Sequence, residues 1–284
     1  SRVNKNDILN FIKQKKQLNS ESLNDLDIDN GTKTNNQISN YSQEVSNSNT
    51  EIEPMSHIRK MIAKHMIKSR DTSVHVYSSN EVDMTSIVNF RNDNKKSYDL
   101  KYDTSLTYTP FITRAVIKAI NEYPLINCSI FGENINHNKN INMGIAVALP
   151  DNNLIVPVIK NSEELNFLGL TRSTNDLANR ARLGSLTPDE AQGSSFTITN
   201  PGIFGSLFGM GIINQPNVAI LSVGSIHKRP VVKETNYGDV IVPRSMMYLT
   251  LAYDHRIIDG AYGTKFLGKI KELLENFSFD EIEL

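Results

Sequence analysis

The groups best placed to do chemistry are concentrated in YDHRIIDG, residues 253–260. His255 stands where a run of mostly apolar residues stops, and Asp259-Gly260 turns the chain toward a helical pattern. Functional side chains are commonly mounted at such junctions. An imidazole that titrates near neutrality can take a proton from a thiol or hydroxyl, and Asp254, Arg256 and Asp259 are charged neighbours able to fix its tautomer and orientation. Read from spacing alone, His255 and Asp259 at i and i+4 could instead be a helical metal pair. The preceding strand and Gly260 argue against a shared helix face, and no third ligand is nearby. A lone His at a strand end is otherwise more often structural. The glycines of GIFGSLFGMG lack both the GK[ST] ending of a P-loop and the GxGxxG spacing, so they read as loop architecture rather than a phosphate cradle. His57, His65, His75 and His137 show no metal spacing and receive no role.

The elements that must carry these residues are legible from periodicity. Downstream of His255, Phe266, Leu267, Ile270, Leu273, Leu274 and Phe277 mark one apolar helical stripe. Upstream, VAILSVGSI, VVKETNYGDVIVP and MMYLTLAYD supply three strands, with Tyr237-Gly238-Asp239 in the second connection. SSFTITN is a strand stopped by Asn200-Pro201-Gly202. INMGIAVALP and NLIVPVIK form a hairpin about Asp151-Asn152-Asn153. Helices are expected after Ser56, from Met84 to about Asn92, after Pro110 until Pro124 stops the run, from Leu170 to about Leu183, and briefly in SLTPDEAQ. VHVYSSNEVD alternates as a strand. A short helix is expected over residues 7–13, and the polar stretch from about Gln17 to Glu53 reads as a disordered linker. The sum is a mixed α/β or α+β body beginning near Pro54.

Composition excludes several functions. The 284 residues carry 30 Lys+Arg against 31 Asp+Glu, so there is no general field to favour nucleic acid or an anionic membrane. No apolar run approaches the length of a bilayer span, and the first residues lack a secretory pattern. The single Cys128 rules out an internal disulfide framework and reads as a small core residue in a reducing compartment.

DHRIIDG near the C-terminus resembles the HxxxDG signature of CoA-dependent acyltransferases, and more closely the dihydrolipoamide acyltransferase (E2) subunits of 2-oxo acid dehydrogenase complexes. IRKMIAKHMIKS, TPFITRAVIKAINEYPLIN, GIAVALPDNNLIVPVIK, FTITNPGIFGS, IINQPNVAILSVGSIHKRPVV and YLTLAYDHRIIDGAYGTKFL match that family's catalytic domain in order. The resemblance implies three segments: residues 1–17 as a remnant of the peripheral subunit-binding domain, 18–53 as linker, and 54–284 as the acyltransferase domain. It implies the chloramphenicol-acetyltransferase-like fold, a mixed sheet flanked by helices.

The same resemblance makes His255 the base for a thiol and Thr199 the hydroxyl donor to an oxyanion, with Thr197 as its natural control. Asp259 is given an orienting role through an ion pair. Arg256 could pair with an internal carboxylate or lie near a bound nucleotide, and His227-Lys228-Arg229 reads as a solvated turn rather than a CoA phosphate contact. Coenzyme A is the implied substrate, and the lipoyl group is expected on a domain absent from this chain. Implied partners are two further copies in a homotrimer that builds a larger core, the acyl-dihydrolipoyl domain, and the E1 and E3 dehydrogenase components. In such a trimer, the His and the hydroxyl of one site come from neighbouring copies. The expected location is the bacterial cytoplasm, with the mitochondrial matrix as the alternative. GIFGSLFGMGIINQP and SMMYLTLAYDHR look somewhat more like succinyltransferases than acetyl or branched-chain enzymes. The rivals are a non-catalytic scaffold and a free-standing CoA acyltransferase acting on a small acceptor.

Overall fold

A computed structural model describes residues 51–151 and 153–282 of the chain. The helix expected at 7–13 and nearly all of the linker expected at 18–53 lie outside the described residues. Immediately after Ser56 comes helix α1, His57–Thr72, followed by strand β1, His75–Asp83. Helix α2, Thr85–Tyr102, runs ten residues past the end expected near Asn92. Its extension is polar, so hydropathy conceals it, but it still buries Tyr98 and ends on Asp103 in the left-handed region (φ 51, ψ 41). Pro110 sits in the first turn of α3, Thr109–Glu122, where its missing N–H costs nothing. Phe111, Ile112, Ala115, Val116, Ala119 and Ile120 of that helix are buried, as their spacing requires.

Two short strands that periodicity did not reveal, β2 (Cys128–Phe131) and β3 (Asn134–His137), pair in a hairpin turned by Gly132 at φ 59. The hairpin expected between residues 141 and 160 is present but broken into four pieces. These are β4 (Met143–Ile145), β5 (Val147–Ala148), β6 (Leu154–Ile155) and β7 (Val158–Ile159), with β4 pairing β7 and β5 pairing β6. Helix α4, Phe167–Arg182, is capped by the Asn166 side chain, which accepts from the Gly169 N–H. Strands β8 (Phe196–Thr199), β9 (Ala219–Val223), β10 (His227–Thr235) and β11 (Gly238–Asp254) follow, then helix α5, Gly260–Glu275. The cluster His227-Lys228-Arg229, read as a solvated turn, instead opens β10, and Arg229 pairs with Glu81 and donates to the Tyr248 hydroxyl at 2.7 Å.

The main sheet has seven strands in the order β1-β11-β9-β8-β4-β7, with β10 also on β11; β8 runs parallel to β4 and β9, and the other pairs are antiparallel. This is the mixed-sheet α/β architecture implied by the sequence. Its two faces differ sharply. Phe196, Ile198, Leu221, Val223, Leu249 and Leu251 belong to the main core together with residues of α2, α3, α4 and α5. The opposite face carries Thr197, Thr199, Ser222, Thr250 and Asp254, with a small apolar patch of Ile213, Ile220 and Ala252. Strand pairing stands Thr199, Ser222, Thr250 and Ser79 side by side across four strands of that face.

The segment 201–217 lies over this second face, and two glycines permit it. A Cβ on Gly224 would stand 1.8 Å from the Leu207 carbonyl oxygen, and one on Gly202 would stand 2.3 Å from the Gly224 carbonyl carbon. Here two backbones cross with no room for a side chain. The crossing falls at a bulge: four steps from Val223 to His227 face three from Leu249 to Met246. Ser225 seals it by donating from both N–H and hydroxyl to the Ser206 carbonyl, at 2.8 and 2.9 Å.

Candidate active site

His255 begins the turn between β11 and α5, and its residue is exposed. Its own N–H donates to the Val74 carbonyl at 2.8 Å, while the Val74 N–H donates to Asp254 Oδ1 at 3.3 Å. The turn is thus tied to the residue before β1 at His255 itself and at the Asp254 that precedes it. Asp254, 1% exposed, also accepts from the Arg256 guanidinium at 2.6 and 3.0 Å and from the Arg256 N–H at 3.1 Å. Burial pushes the Asp254 carboxyl up, but hydrogen bonds from Arg256 and Ser73 outweigh it and hold the group below the usual carboxylate range. Arg256 therefore takes the first of its two alternatives, an internal carboxylate, and that bond raises the guanidinium further. The aromatic ring of Tyr253 lies 6.3 Å from the imidazole, centroid to centroid.

Asp259 departs from expectation. Among the described residues it makes no ion pair; its exposed carboxylate occupies the N-cap position of α5, and its carbonyl accepts from Gly263 at 3.0 Å. It can still orient the turn, because the negative charge is favourable beside the helix N-terminus.

Thr199 closes β8 and is half-buried, and among the described residues its hydroxyl makes no hydrogen bond. Thr197, on the same face, is 1% exposed and accepts from Asn217 Nδ2 at 2.8 Å. One hydroxyl is committed to structure and the other is uncommitted. Asn200 lines a cleft of about 1320 Å³ together with Ile145, Ile198 and Val223, and neither Thr199 nor His255 lines it. The cleft opens beyond the carboxyl ends of β4, β8 and β9, where parallel strands commonly present a site.

Strand register keeps the two candidates apart within one chain. Thr199 is level with Ser222 and Thr250, whereas Asp254 lies four residues further along β11 and two strands to the side. At about 3.4 Å per residue and 4.8 Å per strand, their Cα atoms are roughly 17 Å apart, and His255 lies one residue beyond Asp254. Cys128 is no alternative nucleophile, since it is buried, and burial pushes its thiol up.

The turn rests on residues that carried no signal in the sequence. His75 Nε2 accepts the Ile213 N–H at 3.1 Å, Ser69 donates to the Ile213 carbonyl at 2.5 Å, and Gln215 donates to the Ser73 hydroxyl at 2.7 Å. These link the 201–217 segment to the residues that grip His255. No periodicity marks them, because they join positions more than 130 residues apart.

Residues 47–279 match the model of the 2-oxoacid dehydrogenases acyltransferase catalytic domain, and the chain belongs to that family. Among its relatives is the lipoamide acyltransferase component of the Bacillus subtilis branched-chain alpha-keto acid dehydrogenase complex, 42% identical over 80% of this chain and 52% of that protein. The succinyltransferase component of the 2-oxoglutarate dehydrogenase complex from the same organism is 41% identical over 80% of this chain and 53% of its own length. The chain thus spans about half the length of these curated relatives. A solved dihydrolipoamide acetyltransferase from Azotobacter vinelandii superposes with a TM-score of 0.77 at 31% identity, covering 84% of this chain and 97% of that one. Its catalytic mechanism was investigated at a serine, a histidine and an asparagine, the last two four positions apart.

Proposed function

We propose that this domain transfers an acyl group between a dihydrolipoyl thioester and coenzyme A as the core of a 2-oxo acid dehydrogenase complex. His255 takes the proton from the CoA thiol, since the thiolate is the nucleophile. The thiolate attacks the thioester carbonyl, and the Thr199 hydroxyl donates to the resulting oxyanion. Collapse expels the dihydrolipoyl sulfur, which recovers the proton from the imidazolium, so the base is regenerated. Asp259, four residues after His255 as the asparagine follows the histidine in the Azotobacter enzyme, holds the turn in orientation. The observation that carries this reading is the contrast between Thr199, whose hydroxyl is uncommitted, and the hydrogen-bonded Thr197.

Because one chain holds His255 and Thr199 so far apart, the base and the oxyanion donor of each site come from two copies. We assign a homotrimer, assembled into a larger core in a bacterial cytoplasm, served by an acyl-dihydrolipoyl domain and by the E1 and E3 dehydrogenases. Succinyl is the favoured acyl group, on the likeness of GIFGSLFGMGIINQP and SMMYLTLAYDHR to succinyltransferases. The test is to offer CoA with acetyl-, succinyl- and isobutyryl-dihydrolipoamide and follow acyl-CoA formation beside a His255→Ala control. Turnover of none of the three refutes the activity, and equal turnover by the control removes His255 from its role.

A further inference from the structure

His75 is the one histidine of the described chain whose two ring nitrogens are both engaged with backbone groups of different segments. The Ile213 N–H can only donate, so Nε2 must accept and carries no proton. The Ser73 carbonyl, 3.0 Å from Nδ1, can only accept, so Nδ1 carries the hydrogen. The bonding pattern therefore assigns Nε2 as the acceptor and Nδ1 as the donor. The ring stacks at 6.4 Å on Tyr77, and in the strand register His75 stands opposite Asp254.

Its neighbours explain why that matters. Val74, adjacent in sequence, accepts the His255 N–H and donates to Asp254. Ser73, whose carbonyl the ring grips, also receives the Gln215 amide. Ile213 and Gln215 belong to the segment that follows β8, the strand ending at Thr199. We propose that His75 is a positioning residue for the acyl transfer: it ties the segment that follows the Thr199 strand to the Ser73–Val74 grip on His255. It touches no reacting atom. This rests on His255 being the base, and it adds a residue to which no role attaches otherwise.

Three variants of the full chain separate the two ring nitrogens. The Gln amide oxygen reaches the place of Nε2, the Asn amide nitrogen only that of Nδ1, and Leu neither. His75→Gln should keep kcat within about threefold, while His75→Asn and His75→Leu should lose roughly ten- to a hundredfold, the cost of a misplaced catalytic group. KM for CoA and for the acyl-dihydrolipoamide should stay within about twofold in all three. If His75→Leu does not fold, the Gln and Asn variants alone decide. Equal activity of Gln and Asn, or a loss expressed in KM, overturns the proposal. His255→Ala run alongside separates the two ideas: an inactive control with fully active His75 variants sinks the positioning role alone, and an active control sinks the base assignment itself.

Discussion

Thr199 and Thr197 are two residues apart on one face of one strand, with the same side chain, so substituting each in turn separates catalysis from stability. Thr199→Ala removes a half-buried hydroxyl that holds nothing together among the described residues. If that hydroxyl stabilises the oxyanion, its loss costs about 2.7–4 kcal/mol of transition-state stabilisation. At 1.36 kcal/mol per decade this is a fall in kcat of roughly 10²- to 10³-fold. Stability should hardly move, and Thr199→Ser should retain most activity. Thr197→Val has the opposite signature. The Asn217 amide, itself 2% exposed, would lose its 2.8 Å acceptor and keep only the longer contact to Ser194 at 3.4 Å. A buried donor so stranded costs about 1–3 kcal/mol, or roughly 2–12 °C in melting midpoint for a unit of this size. Its kcat should stay within a few-fold of the parent. The assays are steady-state acyl-CoA formation and thermal melting on the same preparations. Thr199→Ala with more than about a tenth of parental kcat, or Thr197→Val matching it in lost turnover, would refute the division of labour.

His255→Gln should lower kcat by roughly 10²- to 10⁴-fold with intact assembly, as checked by turnover and sedimentation. Co-assembling His255→Ala with Thr199→Ala should restore about a quarter of parental activity, because a shared site regains both groups only where two undamaged halves meet; no recovery would place both groups in one chain. Gly224→Ala should abolish soluble folded protein, since its methyl would meet the Leu207 oxygen at 1.8 Å; a normal yield and melting point would show that the crossing can open. Asp254 has a folded pKa below its unfolded value of about 3.9, so its stabilisation is full above that value and is lost as pH falls through the folded one. Asp254→Asn should therefore lower the melting midpoint near neutral pH and shrink its further fall on acidification, measured from pH 7 to pH 3.

What the sequence disclosed divides along a physical line. Helices α3 and α5 announce themselves because burying one face imposes a 3.6-residue period, and the turns at Asn200-Pro201-Gly202 and Asp151-Asn152-Asn153 announce themselves through residues with special backbone preferences. The second half of α2 does not, because it buries only Tyr98 in a run of polar residues. Nor does the β2–β3 hairpin, whose strands are half or fully exposed apart from Cys128. His255 could be singled out from its strand-end setting, whereas Thr199 became visible only by family resemblance, since a Thr in a strand is ordinary. His75 and Gln215 were beyond reach for another reason: their roles exist only between segments that folding brings together.

The parity of β8 shows how one short strand serves both stability and chemistry. Phe196 and Ile198 point into the core shared with the helices, and Thr197 and Thr199 point to the face without them. On a sheet wrapped by helices on both sides, those threonines would be buried among apolar groups and would have to be satisfied internally. Here, among the described residues, the 201–217 segment lies over much of the second face, brought close to the sheet by the glycine crossing and tied down at Ile213 and Gln215. That cover protects Thr197 and leaves Thr199, at the strand's end, half-buried. Six large apolar residues of the same segment, among them Phe204, Phe208 and Met210, are exposed, an area a soluble surface seldom leaves bare. In the proposed trimer, a second copy seated there would bury them and bring its imidazole to the Thr199 hydroxyl. Charging this patch, for instance with Phe208→Glu, should therefore dissociate the assembly and abolish turnover together. A variant that dissociates yet retains parental kcat would show that each chain completes its site alone.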